Sequence, residues 1–237
     1  MLDLQELDAK ADLLRHQRSH LPELAEIKQL STSRTDLDNR ARDAQIVVDD
    51  LTEEQSKIDA DVEQGRTRRA RDQQRVDAGD LTNPKDLQHM LSELESLQRR
   101  ITTLEDQELE VMEQVETAQK ELDSLRVQVA DADERLATLS ASLDDKTGAI
   151  DRELAAVAAE REPIEAGLPA DLLALYERLR AQKGGVGAAP LRARQCGGCR
   201  LTLDAAEIGE IRAAGSDEVI RCEECQRILV RTAESGL

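Results

Sequence analysis

Apolar residues recur at every seventh position between Leu87 and Val157, and this repeat predicts a coiled-coil helix. A companion row, offset by three residues, runs beside the first and completes a heptad seam. Three charged residues interrupt the seam, namely Glu108, Lys146 and Glu153. Because a strict seven-residue apolar repeat imposes a left-handed supercoil with a partner helix, residues 84–162 are predicted to form one arm of a coiled coil.

An earlier heptad pattern predicts the partner helix within the same chain. Its apolar positions are Leu30, Leu37, Ala44, Leu51 and Ile58. Pro22 predicts a helix break, because proline lacks a backbone donor and clashes with the preceding turn. Gly79 suits the end of a helix, and Asn83 followed by Pro84 suits the start of the next one. The arms are nearly equal in length, which favours an antiparallel hairpin with a turn near 78–84. A coiled coil between two chains is the alternative.

The rest of the chain is predicted to form two shorter parts. Pro163 is expected to stop the second arm, and a short helix around Tyr176 should follow it. Glycine and alanine then dominate residues 184–190, a composition that predicts a flexible linker. In the antiparallel hairpin, counting outward along both arms from the predicted turn near 78–84 also places Leu51 of the first arm opposite Val111 of the second. The predicted domains are a hairpin over 1–162, a short helix and Gly-rich linker over 163–190, and a small domain over 191–237.

Composition supports a mainly helical fold built on thin apolar seams. The chain has no Trp or Phe and only one Tyr, so it lacks the large side chains that fill a thick core. Charged residues make up 35% of it, a fraction typical of long exposed helices. The predicted fold class is therefore mainly α: a long antiparallel coiled-coil hairpin followed by a small C-terminal domain.

Negative charge is concentrated in the helical part of the chain. Residues 188–237 contain seven basic and eight acidic residues, whereas the preceding part contains 25 and 42, within a formal net charge of −18. Most of this surface repels a polyanion such as DNA, so any contact with nucleic acid must be local. The chain has neither a signal pattern nor the roughly 18 apolar residues of a membrane span. We expect a cytoplasmic protein without membrane contact.

All four cysteines lie in two CxxC motifs near the C-terminus, and this spacing predicts a metal site. Cys196 and Cys199 form the first motif, and Cys222 and Cys225 form the second. Each motif places two thiolates on one side of a tight turn, and two such knuckles complete a tetrahedral shell for one structural Zn2+. The alternatives are a rubredoxin-like iron site, which normally comes with an aromatic core, and a redox dithiol, which needs a βα unit. Four thiolates leave no open position for catalysis at zinc.

The segment between the two motifs predicts a short helix and flanking strands. Asp204 and Glu207 have the spacing of a capping box for a helix that ends near Ala213. Apolar pairs at 219–220 and along 227–230 predict short strands around the second motif.

Two segments of the chain resemble the bacterial C4-type zinc-ribbon proteins, in which a long coiled-coil hairpin precedes a ribbon. They read CGGCRLTL…EVIRCEECQRILV and NPKDLQHMLSELESLQRR. The resemblance implies that the four cysteines are the zinc ligands of a regulator that binds nucleic acid or a partner protein and has no enzymatic activity. Gln226 departs from the pattern, because glycine often follows the last cysteine, and a looser turn is expected there.

Arginines around the two CxxC motifs form a first candidate binding surface. They are Arg192, Arg194, Arg200, Arg221, Arg227 and Arg231. Guanidinium groups bind phosphates bidentately, but they would equally compensate the negative charge of a zinc with four thiolates. Both roles stay open. For nucleic acid we favour the ribbon, because its net charge is near zero and the expected linker would let it reorient.

A second basic cluster lies around the predicted turn. Its members are Arg66, Arg68, Arg69, Arg71, Arg75, Lys85, Arg99 and Arg100. On an acidic helical arm such a cluster is either a binding surface or a solvated face balanced by neighbouring acids such as Asp72, Asp77 and Glu95.

No catalytic motif is recognisable in the chain. We expect His16, His20 and His89 to lie far apart and to provide no metal or catalytic site. The sequence has no Ser/His/Asp set, no phosphate loop and no convergent carboxylate pair. We therefore expect neither enzymatic activity nor a small-molecule substrate.

Three functions fit these features. The first is a regulator or adaptor that binds nucleic acid (DNA or RNA), a protein partner, or both through the ribbon and the hairpin. The second is a transcription factor that acts on RNA polymerase through the hairpin tip, by analogy with DksA-type and Gre-type factors. Those factors insert an acidic tip into the polymerase channel, whereas the hairpin predicted here is longer and is basic near its turn. The third is a structural spacer.

Overall fold

The structure, a computed structural model, describes all 237 residues and contains five helices and four short strands. Their bounds are α1 Leu2–Ser19, α2 Pro22–Asp77, α3 Pro84–Ala166, α4 Ala170–Gln182, β1 Ala188–Arg192, β2 Gln195–Cys196, α5 Ala205–Ala213, β3 Ile220–Arg221 and β4 Ile228–Val230. The mainly helical fold class is confirmed. Each helix is either too short or too polar to cross a membrane. The chain divides into two compact units, Glu26–Leu139 and Met1–Ala25 with Ser140–Leu237.

The unit Glu26–Leu139 is an antiparallel helical hairpin, as the heptads predict. Its seam buries apolar side chains of both arms, Val48, Val62, Leu94, Ile101, Val111, Leu122, Leu125 and Ala132. Ion pairs between the arms flank the seam; Arg34 of α2 donates to Asp133 of α3 at 2.9 Å. The partner helix of α3 is thus the earlier heptad segment of the same chain.

The hairpin turn has the chemistry that its residues predict. Gly79 adopts φ +72°, a left-handed conformation that suits glycine just beyond a helix. The N–H groups of Gly79 and Asp80 donate back to the last turn of α2, at 3.2 and 3.3 Å. On the other side, Asn83 Oδ1 accepts the N–H of Lys85 at 3.1 Å, one residue after α3 begins at Pro84. These bonds satisfy backbone groups that the helix ends leave free.

The register of the hairpin differs from the predicted one by about one helical turn. A Cβ on Gly65 of α2 would lie 3.0 Å from Ile101 Cγ1 of α3, so these two residues face each other. Counting two heptads away from the turn along each arm, from Gly65 and from Ile101, places Leu51 level with Val115 instead of Val111. The prediction assumed that the two arms end level at the turn. The observed pairing carries the first turn of α3 past the end of α2.

In the other unit, α1 packs against the C-terminal part of α3. Ala11 and Leu14 of α1 form a buried cluster with Val157 of α3. The break predicted at Pro22 separates α1 from α2. Pro163, in contrast, does not stop α3, which continues to Ala166. A proline removes only one helical donor, and Ile164 in the following turn packs into the cluster of Leu4 and Tyr176, which holds this turn in place.

A buried carboxylate ties α1, α3 and α4 together. Asp8 of α1 is 4% exposed, accepts Arg161 Nε of α3 at 2.9 Å and accepts the hydroxyl of Tyr176 of α4 at 2.8 Å. Burial, followed by the hydrogen bond and charge of Asp8, raises the pKa of Tyr176. The hydroxyl is therefore a donor, and the carboxylate is paired with the guanidinium.

The C-terminal sheet has the strand order β2-β1-β4-β3. Its central pair, β1 and β4, is parallel, with Ala188 opposite Ile228. Strand β1 lies partly within residues 184–190, where we predicted a flexible linker. That prediction is wrong, because Ala188 and Ala189 are 1% and 2% exposed and pack into two apolar clusters. Small side chains here reflect close packing instead of mobility.

Candidate metal centre

Each CxxC motif forms a tight knuckle closed by one backbone hydrogen bond. The N–H of Arg200 donates to the carbonyl of Cys196 at 2.7 Å, and the N–H of Gln226 donates to that of Cys222 at 2.8 Å. Arg200 and Gln226 both have φ +64°. This left-handed conformation costs a residue with a side chain about 1–2 kcal/mol. Gln226 does not loosen its turn as expected, because its side-chain amide also donates to Glu223 O at 2.8 Å.

The four sulfur atoms fit a tetrahedral zinc. All four lie within 4.8 Å of one another. The Sγ atoms of Cys196 and Cys225 are 3.7 Å apart, and those of Cys199 and Cys222 are 3.9 Å apart. A tetrahedron with Zn–S bonds near 2.3 Å has edges of about 3.8 Å. The predicted ligands therefore come together as one site for a single structural Zn2+.

The local environment makes the ionisation of these thiols uneven. Burial raises the pKa of Cys222 to about 12 and also raises the pKa of Cys196. Burial acts in the same direction on Cys225, but hydrogen bonds from the backbone and side chain of Arg227, together with those from Cys222 and Cys196, outweigh it and lower the pKa to about 7. Zinc binds thiolates, so its binding must displace the protons that burial retains. Zinc and protons therefore compete for this site.

An apolar cluster surrounds the knuckles and gives the ribbon its own small core. Its buried members are Ala189, Leu191, Cys196, Leu203, Ile208, Ile211, Cys222 and Leu229. Two of them lie on α5, the helix predicted between the motifs. Asp204 accepts the N–H of Glu207 at 2.8 Å and so caps the helix, but Glu207 accepts the N–H of Glu223 at 3.2 Å instead of closing the predicted capping box.

Arg227 connects the metal centre to α4. It donates from Nε to Val186 O and from Nη2 to Lys183 O, each at 2.9 Å, and Lys183 directly follows α4. A Cβ on Gly198 would lie 2.6 Å from Arg227 Cδ, so only glycine leaves room for this side chain to cross the first knuckle. One arginine thus touches both knuckles and the end of a helix.

Gln5 of α1 holds the same segment from the opposite side. Its Oε1 accepts the N–H groups of Gly187 at 2.7 Å and Ala188 at 3.2 Å, and its Nε2 donates to Gly185 O at 2.9 Å. Gln5 is not among the residues predicted from the sequence. Its only signal in the sequence is a polar residue between the apolar residues Leu4 and Leu7.

The structure assigns most of the other ribbon arginines to local bonds. Arg192 pairs with Glu234 at 3.0 Å. Three others donate to backbone carbonyls, namely Arg194 to Gly236, Arg221 to Gln226, and Arg231 to Ile211 and Ala214 near the end of α5. Arg200 has no side-chain hydrogen bond or ion pair and is exposed. Most of the ribbon arginines therefore have structural partners that the sequence did not reveal.

At the hairpin turn, several predicted arginines are paired with acids. Arg66 pairs with Glu63 at 2.8 Å and with Glu105 at 2.7 Å. Arg68 pairs with Glu93, and both Arg68 and Arg71 lie within 3.7 Å of the buried Asp72. Arg69 is half-buried, and its Nε has no partner. These ion pairs are mostly exposed, and such pairs contribute little to stability.

Four further cations at the turn are exposed and have no side-chain partner. They are Arg75, Lys85, Arg99 and Arg100. Together with the paired arginines they form a surface that we call the tip, residues 66–100. The tip contains eight basic and six acidic residues on a chain with a net charge of −18.

The histidines do not all lie apart as expected. The rings of His16 and His20 lie with their centroids 4.0 Å apart and their planes tilted by 31°, because the side chain of His20, the C-cap of α1, turns back to the carbonyl of His16 one turn earlier. His89 is alone, exposed on the first turns of α3.

Comparisons with known proteins agree with this architecture. A profile of the CT398-like coiled-coil hairpin domain matches residues 4–184, and a profile of the C4-type zinc ribbon domain matches residues 195–229. An uncharacterized protein of Mycobacterium tuberculosis is 36% identical over 98% of this chain and 94% of its own length. A second uncharacterized protein, from Mycobacterium leprae, is 27% identical over 93% of this chain and 94% of its own.

Solved structures share the fold. A protein from Mycobacterium smegmatis has 33% identity and a TM-score of 0.82, with 97% of this chain and 94% of that chain covered. CT398 from Chlamydia trachomatis has 19% identity and a TM-score of 0.69 over 98% and 95% of the two chains. This chain belongs to the CT398-like coiled-coil hairpin family and carries a C4-type zinc ribbon at its C-terminal end.

Proposed function

We propose that this protein is a non-enzymatic adaptor that binds an acidic protein partner through the tip of its hairpin. A non-enzymatic role is supported by the metal centre, because four thiolates fill the tetrahedral shell of zinc and leave no position for a substrate. The ribbon is then a structural module, packed on α1 and α4 through Gln5 and Arg227.

The observation that carries this proposal is the charge of the tip. Exposed cations without partners gather there, whereas the rest of the chain is strongly acidic. A positively charged cluster on an otherwise negative protein attracts a negatively charged partner and orients its approach. The ribbon, which we first favoured, offers fewer free cations, because most of its arginines donate to carbonyls or pair with Glu234.

Apolar side chains near these cations favour a protein over a nucleic acid. Leu91 of α3 is 46% exposed, and Leu87 and Met90 beside it are half-buried. A mixed basic and apolar surface fits an acidic amphipathic protein segment. The chain has no Phe or Trp, and its one tyrosine, Tyr176, is fully buried. It therefore exposes no ring of these types on which single-stranded bases could stack.

Nucleic-acid binding is the second candidate function. The observation in its favour is Arg200, whose guanidinium is exposed beside the first knuckle and has no partner. A single phosphate contact gives a weak, salt-dependent interaction. A role on RNA polymerase through an acidic tip is less well supported, because residues 66–100 contain eight basic residues and only six acidic ones, Asp80 and Asp86 among them.

Capture experiments with charge variants test the proposal. The zinc-loaded chain is immobilised and exposed to lysate of the organism that encodes it, with and without nuclease. The test variant is Arg75→Ala with Arg100→Ala, and the matched control is Arg40→Ala with Arg135→Ala, two exposed cations without partners outside the tip. We expect the tip variant to lose the bound protein, while the control and the nuclease-treated sample retain it.

Two outcomes contradict the proposal. If nuclease treatment abolishes capture, nucleic-acid binding becomes the supported function. Arg200→Ala should then weaken binding and reduce the salt slope of the affinity by about one unit, the loss of one phosphate contact. If the tip variant captures the same protein as the wild type, the binding surface lies elsewhere.

A further inference from the structure

The last turn of α1 brings two imidazoles together on an exposed surface. The ring centroids of His16 and His20 are 4.0 Å apart, with 31° between the ring planes. Both side chains are exposed, and residues four positions apart project from the same side of a helix. The two rings therefore lie side by side, and rotation of the exposed His16 side chain would bring one of its ring nitrogens toward Nε2 of His20.

A backbone hydrogen bond orients one of these rings. His20 Nδ1 lies 2.8 Å from the carbonyl oxygen of His16, and Ser19 Oγ lies 2.9 Å from the same nitrogen. When Nδ1–H donates to that carbonyl, the remaining lone pair of the neutral ring is on Nε2. Histidines that bind metals commonly donate their other ring N–H to a carbonyl, which fixes both the tautomer and the ring orientation. His20 has this arrangement.

We propose that His16 and His20 form a bidentate site for a divalent transition-metal ion of the Ni2+, Cu2+ and Zn2+ class, separate from the four-cysteine centre. Imidazole nitrogens suit these ions. The carboxylate one turn earlier, Asp12, accepts Arg15 at 2.8 Å and Arg180 at 2.7 Å and is occupied by them. The two histidines are thus the protein ligands, and water completes the coordination shell.

Metal binding at this pair should stabilise the end of α1. His20 is the C-cap of α1, and α2 begins two residues later at Pro22. A chelate between positions four apart forms only when this turn is helical, so binding favours the folded turn by mass action. Metal occupancy of the site should therefore increase the conformational order of the backbone where α1 ends and α2 begins.

Titration of the zinc-loaded full chain with Ni2+ tests the proposal. Binding is followed by calorimetry for the wild type, His16→Gln, His20→Gln and the double variant, and elemental analysis checks that the ribbon zinc is retained. His89→Gln is the matched control, because it removes an exposed histidine that has no neighbouring imidazole. We expect one Ni2+ per chain in the wild type and the control, and a loss of affinity of more than about tenfold in each single variant.

Three results overturn the proposal. They are the absence of Ni2+ binding by the wild type, equal binding by the wild type and the double variant, and a loss in only one of the single variants. Both histidines are exposed, so the variants should fold, and equal far-UV circular dichroism of all five proteins verifies this.

Discussion

Asp8 is the residue on which the packing of α1, α3 and α4 depends most directly. It is buried, it pairs with Arg161, and it accepts the hydroxyl of Tyr176. Arg180 lies further away, with its Nε 3.8 Å from Asp8. Removing one member of a buried ion pair is costly, because the charge that remains has neither its partner nor water.

Substitution of Asp8 should therefore destabilise its unit strongly. We expect Asp8→Ala to lower the free energy of unfolding by about 3–5 kcal/mol, since the Arg161 guanidinium and the Tyr176 hydroxyl lose their acceptor. The measurement is urea unfolding followed by the near-UV circular dichroism of Tyr176. Asp3→Ala, an exposed acid on the same helix, is the control and should cost less than about 1 kcal/mol. Equal midpoints for both variants would contradict this role of Asp8.

At the scale of the elements, the hairpin seam contains one unfavourable position. Glu108 interrupts the apolar row of α3. Desolvation, a hydrogen bond with Asp59 and the charge of that carboxylate raise the pKa of Glu108. A group whose pKa is raised on folding binds its proton more tightly in the folded state. Its ionised form therefore destabilises the hairpin, and this penalty disappears as the pH falls through the raised pKa.

The stability of the hairpin should respond to Glu108 in a pH-dependent way. At neutral pH we expect Glu108→Gln to raise the melting temperature, because it removes a repelled charge from the seam. The gain should shrink toward zero as the pH is lowered to about 4, where the wild-type carboxyl is protonated. Thermal melts recorded at 222 nm measure this difference. Glu110→Gln, at an exposed position of α3, should show neither effect; a constant gain at all pH values would contradict the account.

Arg227 is the element-scale link between the metal knuckles and α4. We expect Arg227→Ala to increase amide exchange at residues 185–188, with a loss of about 1.5–3 kcal/mol in local opening free energy, while zinc is retained. Hydrogen exchange measured by mass spectrometry reports this change. The control is Arg221→Ala, whose guanidinium reaches only the carbonyl of Gln226. Unchanged exchange in the Arg227 variant would show that Gln5 alone holds this segment.

Spacing within the chain predicted the elements that depend on local pattern. The heptads predicted the long helices, Pro22 predicted the break between α1 and α2, and the two CxxC motifs predicted the zinc ligands. Each of these signals depends only on residues close together in the sequence. Strand β1 could not be predicted, because its burial depends on Leu4 and Ile228, which are distant in sequence. The arginine partners were also hidden, since backbone carbonyls accept most of these bonds and carry no sequence signal.

At the scale of the whole molecule, the zinc site and the coiled coil have different sources of stability. The helices α2 and α3 contain 56 and 83 residues and pack through an apolar seam that needs no metal. The ribbon has a nine-residue helix, short strands and a small core around four cysteines. Structural zinc contributes on the order of 10–16 kcal/mol to modules of this kind.

Loss of one ligand should therefore melt the ribbon and spare the hairpin. We expect Cys199→Ser to lose zinc and ribbon structure while the far-UV signal at 222 nm stays close to that of the wild type, because α5 is a small part of the helix content. Exchange protection lost in α5 but kept along α2 would verify the distinction. A collapse of most helicity in this variant would show that the hairpin depends on the metal.

Metal analysis of the purified chain tests the central claim most directly. If Cys196, Cys199, Cys222 and Cys225 form one closed zinc site, elemental analysis of the wild type should find one zinc per chain that resists gel filtration. The Cys199→Ser variant, prepared in parallel, should retain far less. Stoichiometric iron in place of zinc, or a wild type without bound metal, would contradict the account.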